Sequence, residues 1–170
     1  SLSQSLGHFE ALGQNPATLT LAILIGRLFA IIGLNDEAIK SAENCLVEGR
    51  HLKMPKAESS SQQVLGMAYL NQSRLSEARS ALVESERIRR NHEDKLALSE
   101  VLLLKARLAI ELGDSTGAKA ILAEAYVYIE KGGLRHFEVE HYRLRAMVAI
   151  EIDNQDLGLA RKLLERGAEE

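Results

Sequence analysis

The chain has 170 residues, about one domain's worth, with 46% apolar and 26% charged side chains and a net charge of −3. That balance excludes a disordered chain and leaves no basic footprint for nucleic acid. A single cysteine excludes an internal disulfide framework and a cysteine-based zinc site, and points to a reducing, cytoplasmic compartment.

Two prolines, no tryptophan and an abundance of Leu, Ala, Glu, Arg and Lys favour helix throughout. Residues 1–13 read as the end of a second helix from a preceding repeat, closed by Gly13. Leu2 falls in the column later held by Leu82 and Leu122, and Ser5 in that of Ser85 and Ala125. Read this way the chain begins mid-repeat, as a fragment of a longer protein would. Asn15 caps a helix that opens on Pro16 and stops at Gly33. Its apolar run Leu19–Leu34 imitates a membrane span, but Arg27 would cost roughly 2.5–3.5 kcal/mol at a bilayer centre, and the run is short for a span. It is expected to be a buried helix of a soluble fold. A second helix follows near Asp36–Leu52. Pro55 opens the next, which reaches about Leu70, and Ser76 is the expected cap of its partner after the turn Asn71–Leu75. The third pair runs from about Glu93 to Leu112 and from Thr116 to Lys131, with Ser115 as cap and Gly132-Gly133 as the stop. The fourth runs from about Phe137 to Ile152 and from Leu157 to Arg166.

These pairs recur with a fixed period. Gly26, Gly66, Ala106 and Ala146 stand forty residues apart, and Ala38, Ala78 and Ala118 follow the first three at a constant offset of twelve. Lys105-Ala-Arg-Leu-Ala-Ile-Glu-Leu112 matches Arg145-Ala-Met-Val-Ala-Ile-Glu-Ile152. In the fourth copy the second small residue is Ala160, two places late, so the turn Asp153–Gly158 carries an insertion. Four repeats result, 15–53, 55–91, 92–132 and 134–168. Two helices joined by a short turn must approach to about 8–10 Å, which small residues at the crossing allow. No single pair buries its apolar face alone, so the pairs must stack.

The pattern resembles the tetratricopeptide repeat (TPR). The second copy matches best, with Gln62, Leu65, Gly66 and Tyr69 on its first helix and Ala78 and Leu82 on its second. The first copy has Ala22, Ile25, Gly26, Phe29, Ala38 and Ala42. The third has Leu102, Ala106, Ala109, Ala118 and Leu122, and the fourth Tyr142, Ala146, Ala149, Ala160 and Leu164. The terminal Pro and the Trp of the TPR pattern are missing, and Lys105 and Arg145 fall in an apolar column. The forty-residue period is similar to that of the long, MalT-like helical repeats of bacterial LuxR-type regulators and signalling ATPases. The resemblance implies an all-α, right-handed solenoid of about four antiparallel helix pairs. It also implies a protein- or peptide-binding regulatory or scaffold module of a larger signalling or transcription-regulating protein. The alternative it leaves open is a small-molecule sensor region of a MalT-like regulator.

Single residues offer little chemistry. Cys45 sits in the small-residue column of Ser85 and Ala125 and reads as core. His136 and His141 are five apart, so they leave a helix on different sides and make a poor metal pair. Gly132-Gly133 follows no strand and precedes no Lys-Ser/Thr, so it is a helix stop. Arg87, Arg89 and Arg90 end a helix, where cations meet the dipole favourably. No enzyme, cofactor, metal site or direct nucleic-acid contact is expected. In TPR-like stacks the first helix of each pair lines a concave face, and its columns can be read across the copies. One column holds Ile23, Gln63, Leu103 and Arg143. A second holds Arg27, Met67, Arg107 and Met147. A third holds Ile31, Asn71, Glu111 and Glu151. An apolar floor of Ile23, Met67, Leu103 and Met147 among charges of both signs suits an amphipathic or extended peptide. The open ends of such a stack also offer end-to-end self-association.

Overall fold

The computed structural model describes residues 15–153 and 157–169, with side chains placed for 15–150 and 158–168. The segment 1–13, the inserted residues 154–156 and the Glu151 side chain lie outside the described residues. The described chain is all helix: α1 (Pro16–Ile31), α2 (Asn35–His51), α3 (Pro55–Asn71), α4 (Leu75–Asn91), α5 (Lys95–Glu111), α6 (Ser115–Gly132), a single 3-10 turn (Arg135–Phe137), α7 (Glu138–Asp153) and α8 (Leu157–Glu169).

The turns set the architecture, and their period is twenty rather than forty. Among the described residues six adopt the left-handed conformation: Gly33, Lys53, Ser73, Glu93, Gly113 and Gly133, with φ of 86°, 53°, 56°, 52°, 74° and 61°. After each, an amide reaches back five residues. Leu34 N donates to Phe29 O (2.9 Å), Met54 N to Gly49 O (2.8 Å), and Arg74 N to Tyr69 O (2.9 Å). Asp94 N donates to Arg89 O (3.0 Å), Asp114 N to Ala109 O (2.8 Å), and Leu134 N to Ile129 O (3.0 Å). This is the Schellman closure, in which a left-handed residue lets the chain reverse while satisfying orphan carbonyls. Links within a pair and links between pairs therefore use one device.

Helix starts are specified more variably. The Asn15 side-chain oxygen accepts from Ala17 N (2.9 Å) and Thr18 N (3.0 Å), and Thr18 Oγ1 accepts from Asn15 N (3.3 Å), a capping box with Pro16 at the first position. Two expected caps move by one or two residues. Asp114, not Ser115, caps α6 by accepting from Gly117 N (2.8 Å). Ser76 lies inside the first turn of α4, where its hydroxyl donates to Glu77 (2.6 Å).

The described residues fall into two compact units divided between Ile88 and Arg89, inside α4. In the first, α1 packs on α2 and α3, and α2 on α3. The small-residue columns sit at the crossings: Ala38 and Ala78 are fully buried and Gly26 and Gly66 are buried with them. A Cβ on Gly66 would lie 2.5 Å from Leu82 Cδ2, so α3 and α4 touch there as closely as glycine permits. One turn further along, Ser85 Oγ donates to Ser59 O (2.8 Å) in the interior. The Asn71 amide donates to Ala30 O (2.8 Å) and to Asn35 Oδ1 (3.1 Å), and Gln72 donates to Asp36 (2.7 Å). These bonds tie the end of α3 to the turn between α1 and α2.

In the second unit α5 packs on α6 and α7, α6 on α7, and α7 on α8. Ala106, Ala118, Ala146 and Ala160 are all buried, so the late small residue of the fourth repeat fills the expected place. Leu102, Leu122, Ile129 and Leu144 form the heart of this core. His141 is buried among them, stacked on Tyr126 with centroids 5.1 Å apart. Its Nε2 lies 3.1 Å from the Leu122 carbonyl oxygen, to which it donates.

Candidate interaction surface

The three columns of the first helices do not behave alike. Ile23, Gln63 and Leu103 are 8%, 4% and 3% exposed. Ile23 and Leu103 were expected on the floor of an open groove and Gln63 beside it; all three instead fill the interior of their units, because this column turns inward. Arg143, the fourth member, stays exposed. The second column is the half-buried one: Arg27 and Met67 in the first unit, Arg107 and Met147 in the second. Met67 and Met147 each pack one side against the core of their unit and keep the other at the surface. In the third column Ile31, Asn71 and Glu111 are exposed, and Asn71 is engaged in the polar seam described above.

In the second unit the arginines of these columns pair with carboxylates on their own helices. Arg107 Nε donates to Glu111 Oε1 (2.9 Å). Arg143 grips Glu140 with two bonds of 2.7 Å and also reaches Met147 Sδ at 3.3 Å. The Glu140 partnership raises the Arg143 pKa above its already high ordinary value. Exposed pairs of this kind contribute only about 0.3–0.5 kcal/mol each, so a partner's carboxylate can displace them at small cost. Arg107, Glu111, Arg143 and Met147 thus form a surface of weakly committed charge beside a flexible apolar side chain.

The remaining sequence candidates resolve into structural roles. Arg87 pairs with Glu84 (2.7 Å), buried Arg89 with Asp94 (3.3 Å), and Arg90 with Glu124 (2.7 Å), so this cluster is bonded into the fold. His136 is exposed, with its ring tilted against Phe137, while His141 is buried, so the two histidines do not converge. Among the described residues no group of His, Cys, Asp or Glu could hold a metal ion, and no helix is long and apolar enough to cross a membrane. Cys45 is buried, and burial pushes its thiol pKa up to about 11 despite a hydrogen bond with Ser41. One feature went unread in the sequence. The outward side of α1 exposes Leu21, Leu24, Leu28, Ile31 and Ile32, of which only Ile31 was expected at the surface of a helix otherwise read as buried. The signal was present, because the apolar residues of this helix are not confined to one stripe.

No protein-family model, curated protein or solved structure matches this chain.

Proposed function

We propose that this chain is a protein- or peptide-binding module of a larger cytoplasmic signalling or transcription-regulating protein. Its working surface is the half-buried first-helix columns. The observation that supports this reading is the arrangement on α5 and α7. Arg107 and Arg143 each pair with a carboxylate of their own helix, and Met147 lies half-buried against the core within reach of Arg143. Methionine beside exchangeable charge suits a peptide with alternating apolar and acidic side chains, since the thioether adapts its shape. Arg27 and Met67 offer the same combination on α1 and α3.

Peptides selected from a random display library on the 170-residue chain test the reading. They should bind less tightly to the Arg107→Glu/Arg143→Glu variant by about tenfold or more, and wild-type binding should weaken as salt rises. Equal binding by both proteins, with helicity unchanged, refutes it.

A further inference from the structure

His51, His92 and His136 are exposed, whereas His141 is 1% exposed. Its ring is wedged between α6 and α7. It stacks on Tyr126 of α6 at 5.1 Å and makes a T-shaped contact with Tyr142 of its own helix at 5.6 Å. Nε2 donates to the Leu122 carbonyl of α6, and Nδ1 has no hydrogen-bond partner among the described residues. That bare nitrogen is the atom a second proton would occupy. The repeat register shows how the equivalent junction is built without a histidine. Eighty residues earlier, where α3 meets α2, Ser61 stands for His141, Ala42 for Leu122, Leu46 for Tyr126 and Gly49 for Ile129. These smaller residues let the helices close up: a Cβ on Gly49 would lie 3.3 Å from Ala57 Cβ. Between α6 and α7 the same space holds aromatic rings, and one of them can take a charge.

We propose that His141 is a proton-operated latch, and that a second proton on its ring releases α7 and α8 together from α6 while the first unit stays folded. A proton on Nδ1 places a cation and an unpaired donor in an apolar junction, which is strongly disfavoured. Nothing around the ring offsets that charge. From α6 it faces the Tyr126 ring, and from its own helix Tyr142 and the Arg145 cation, which repels a second charge. The Arg166 cation of α8 lies over the far ring, Tyr142, at 5.3 Å. Among the described residues no charged group of α5 or of the turn before α7 acts on it. Burial accordingly holds the pKa of His141 below the ordinary histidine value. The response is local because stacked repeats open by their neighbour contacts. Tyr142, Ala146, Ala160 and Leu163 form a small core of their own between α7 and α8, so those two helices leave as one body. The latch is independent of the peptide reading, since it is read from the exposure of α7 and not from ligand capture.

Amide hydrogen exchange of the 170-residue chain, read residue by residue by NMR and corrected for intrinsic rates, tests the latch. Below pH 6.5 the protection of Leu144, Ala146 and Val148 in α7 should fall by up to about tenfold per pH unit, the slope of a single proton. Val64, Ala68 and Leu70 in α3 should keep theirs over the same range. His141→Gln, which can still donate to the Leu122 carbonyl but takes no proton, should abolish the fall. His136→Gln, at an exposed histidine just before α7, should leave it intact. Constant protection in α7, an equal fall in α3 and α7, or a fall that persists in His141→Gln overturns the proposal. Should His141→Gln lose helicity, the ring of the wild type decides. Its NMR titration should give a native pKa below 6.5, with the loss of α7 protection confined to the range between the two values. A native pKa at or above 6.5 refutes the latch.

Discussion

Substituting Gly66 tests the packing of the second repeat at its tightest point. A Cβ placed there lies 2.5 Å from Leu82 Cδ2 and 2.6 Å from Leu82 Cγ, about 1 Å inside the ordinary carbon–carbon separation of roughly 3.5–4.0 Å. Leu82 is fully buried and has nowhere to retreat. Moving α4 outward instead stretches the buried Ser85–Ser59 bond. Against this, alanine is favoured over glycine inside a helix by about 1 kcal/mol. Overpacking costs about 1–3 kcal/mol, so Gly66→Ala should lose up to about 2 kcal/mol net, and Gly66→Leu more. Urea unfolding followed by circular dichroism reads this as a midpoint lowered by up to about 1 M for alanine and by more for leucine, given slopes of about 1–3 kcal/mol per molar. Gly26→Ala is the control. There the nearest atom is Ser41 Oγ at 3.1 Å, on a small side chain that can rotate, and the change should be close to neutral. Combining Gly66→Ala with Leu82→Ala should cost no more than Leu82→Ala alone, because the clash has gone. A Gly66→Ala midpoint above the wild type, or a Gly66→Leu midpoint equal to it, refutes the close contact, and with it the assignment of small residues to helix crossings.

Three further outcomes follow from buried polar groups. Burial lowers the His141 pKa below the ordinary histidine value of 6.5; the Leu122 carbonyl opposes the shift and the Arg145 charge adds to it. The native state therefore prefers the neutral ring. The stability from this site is complete above that value and is lost as pH falls below it toward the depressed native pKa. His141→Gln should flatten the acid side of a stability–pH curve below about pH 6.5, and an unchanged slope contradicts the assignment. Cys45, with its thiol pKa near 11, should react with iodoacetamide at pH 8 only after unfolding; native alkylation at the rate of a free thiol contradicts the buried site. Asp94 accepts from Ala97 N at the start of α5 and pairs with buried Arg89. Asp94→Ala should thus cost about 1–2 kcal/mol, combining a lost cap with one lost partner of Arg89. Asp94→Asn, which keeps the cap, should cost less, and thermal melts of both variants rank them.

The repeat was legible because its crossings demand small side chains. Gly26, Gly66, Ala106 and Ala146, with Ala38, Ala78 and Ala118, mark those crossings directly in the sequence, and all are buried. The twenty-residue turn was half legible. Gly33, Gly113 and Gly133 announce a left-handed residue, but Lys53, Ser73 and Glu93 occupy the same conformation without a glycine to betray them. The caps at Ser76 and Ser115 were misplaced for the same reason, since the turn geometry fixes the helix start and puts Asp114 or Arg74 just before it. Of the surface columns, side-chain type alone could not separate Ile23, Gln63 and Leu103 from Arg27, Met67, Arg107 and Met147. The two columns lie one helical turn apart, and only the first turns inward. Gln63 shows the difficulty most plainly: a polar residue expected at the surface is 4% exposed. The bare face of α1 was hidden by its apolar character, which matches the buried positions of later repeats.

Methionine oxidation tests the binding surface most directly, because the chain's three methionines sample it unequally. Met67 and Met147 lie half-buried in the second column, whereas Met54 sits in the turn before α3, away from it. With a selected peptide bound, peroxide oxidation followed by mass spectrometry should show Met67, Met147 or both protected and Met54 oxidised at its unbound rate. Protection of Met54 alone, or no protection at all under saturating peptide, would place the working surface elsewhere and contradict the account.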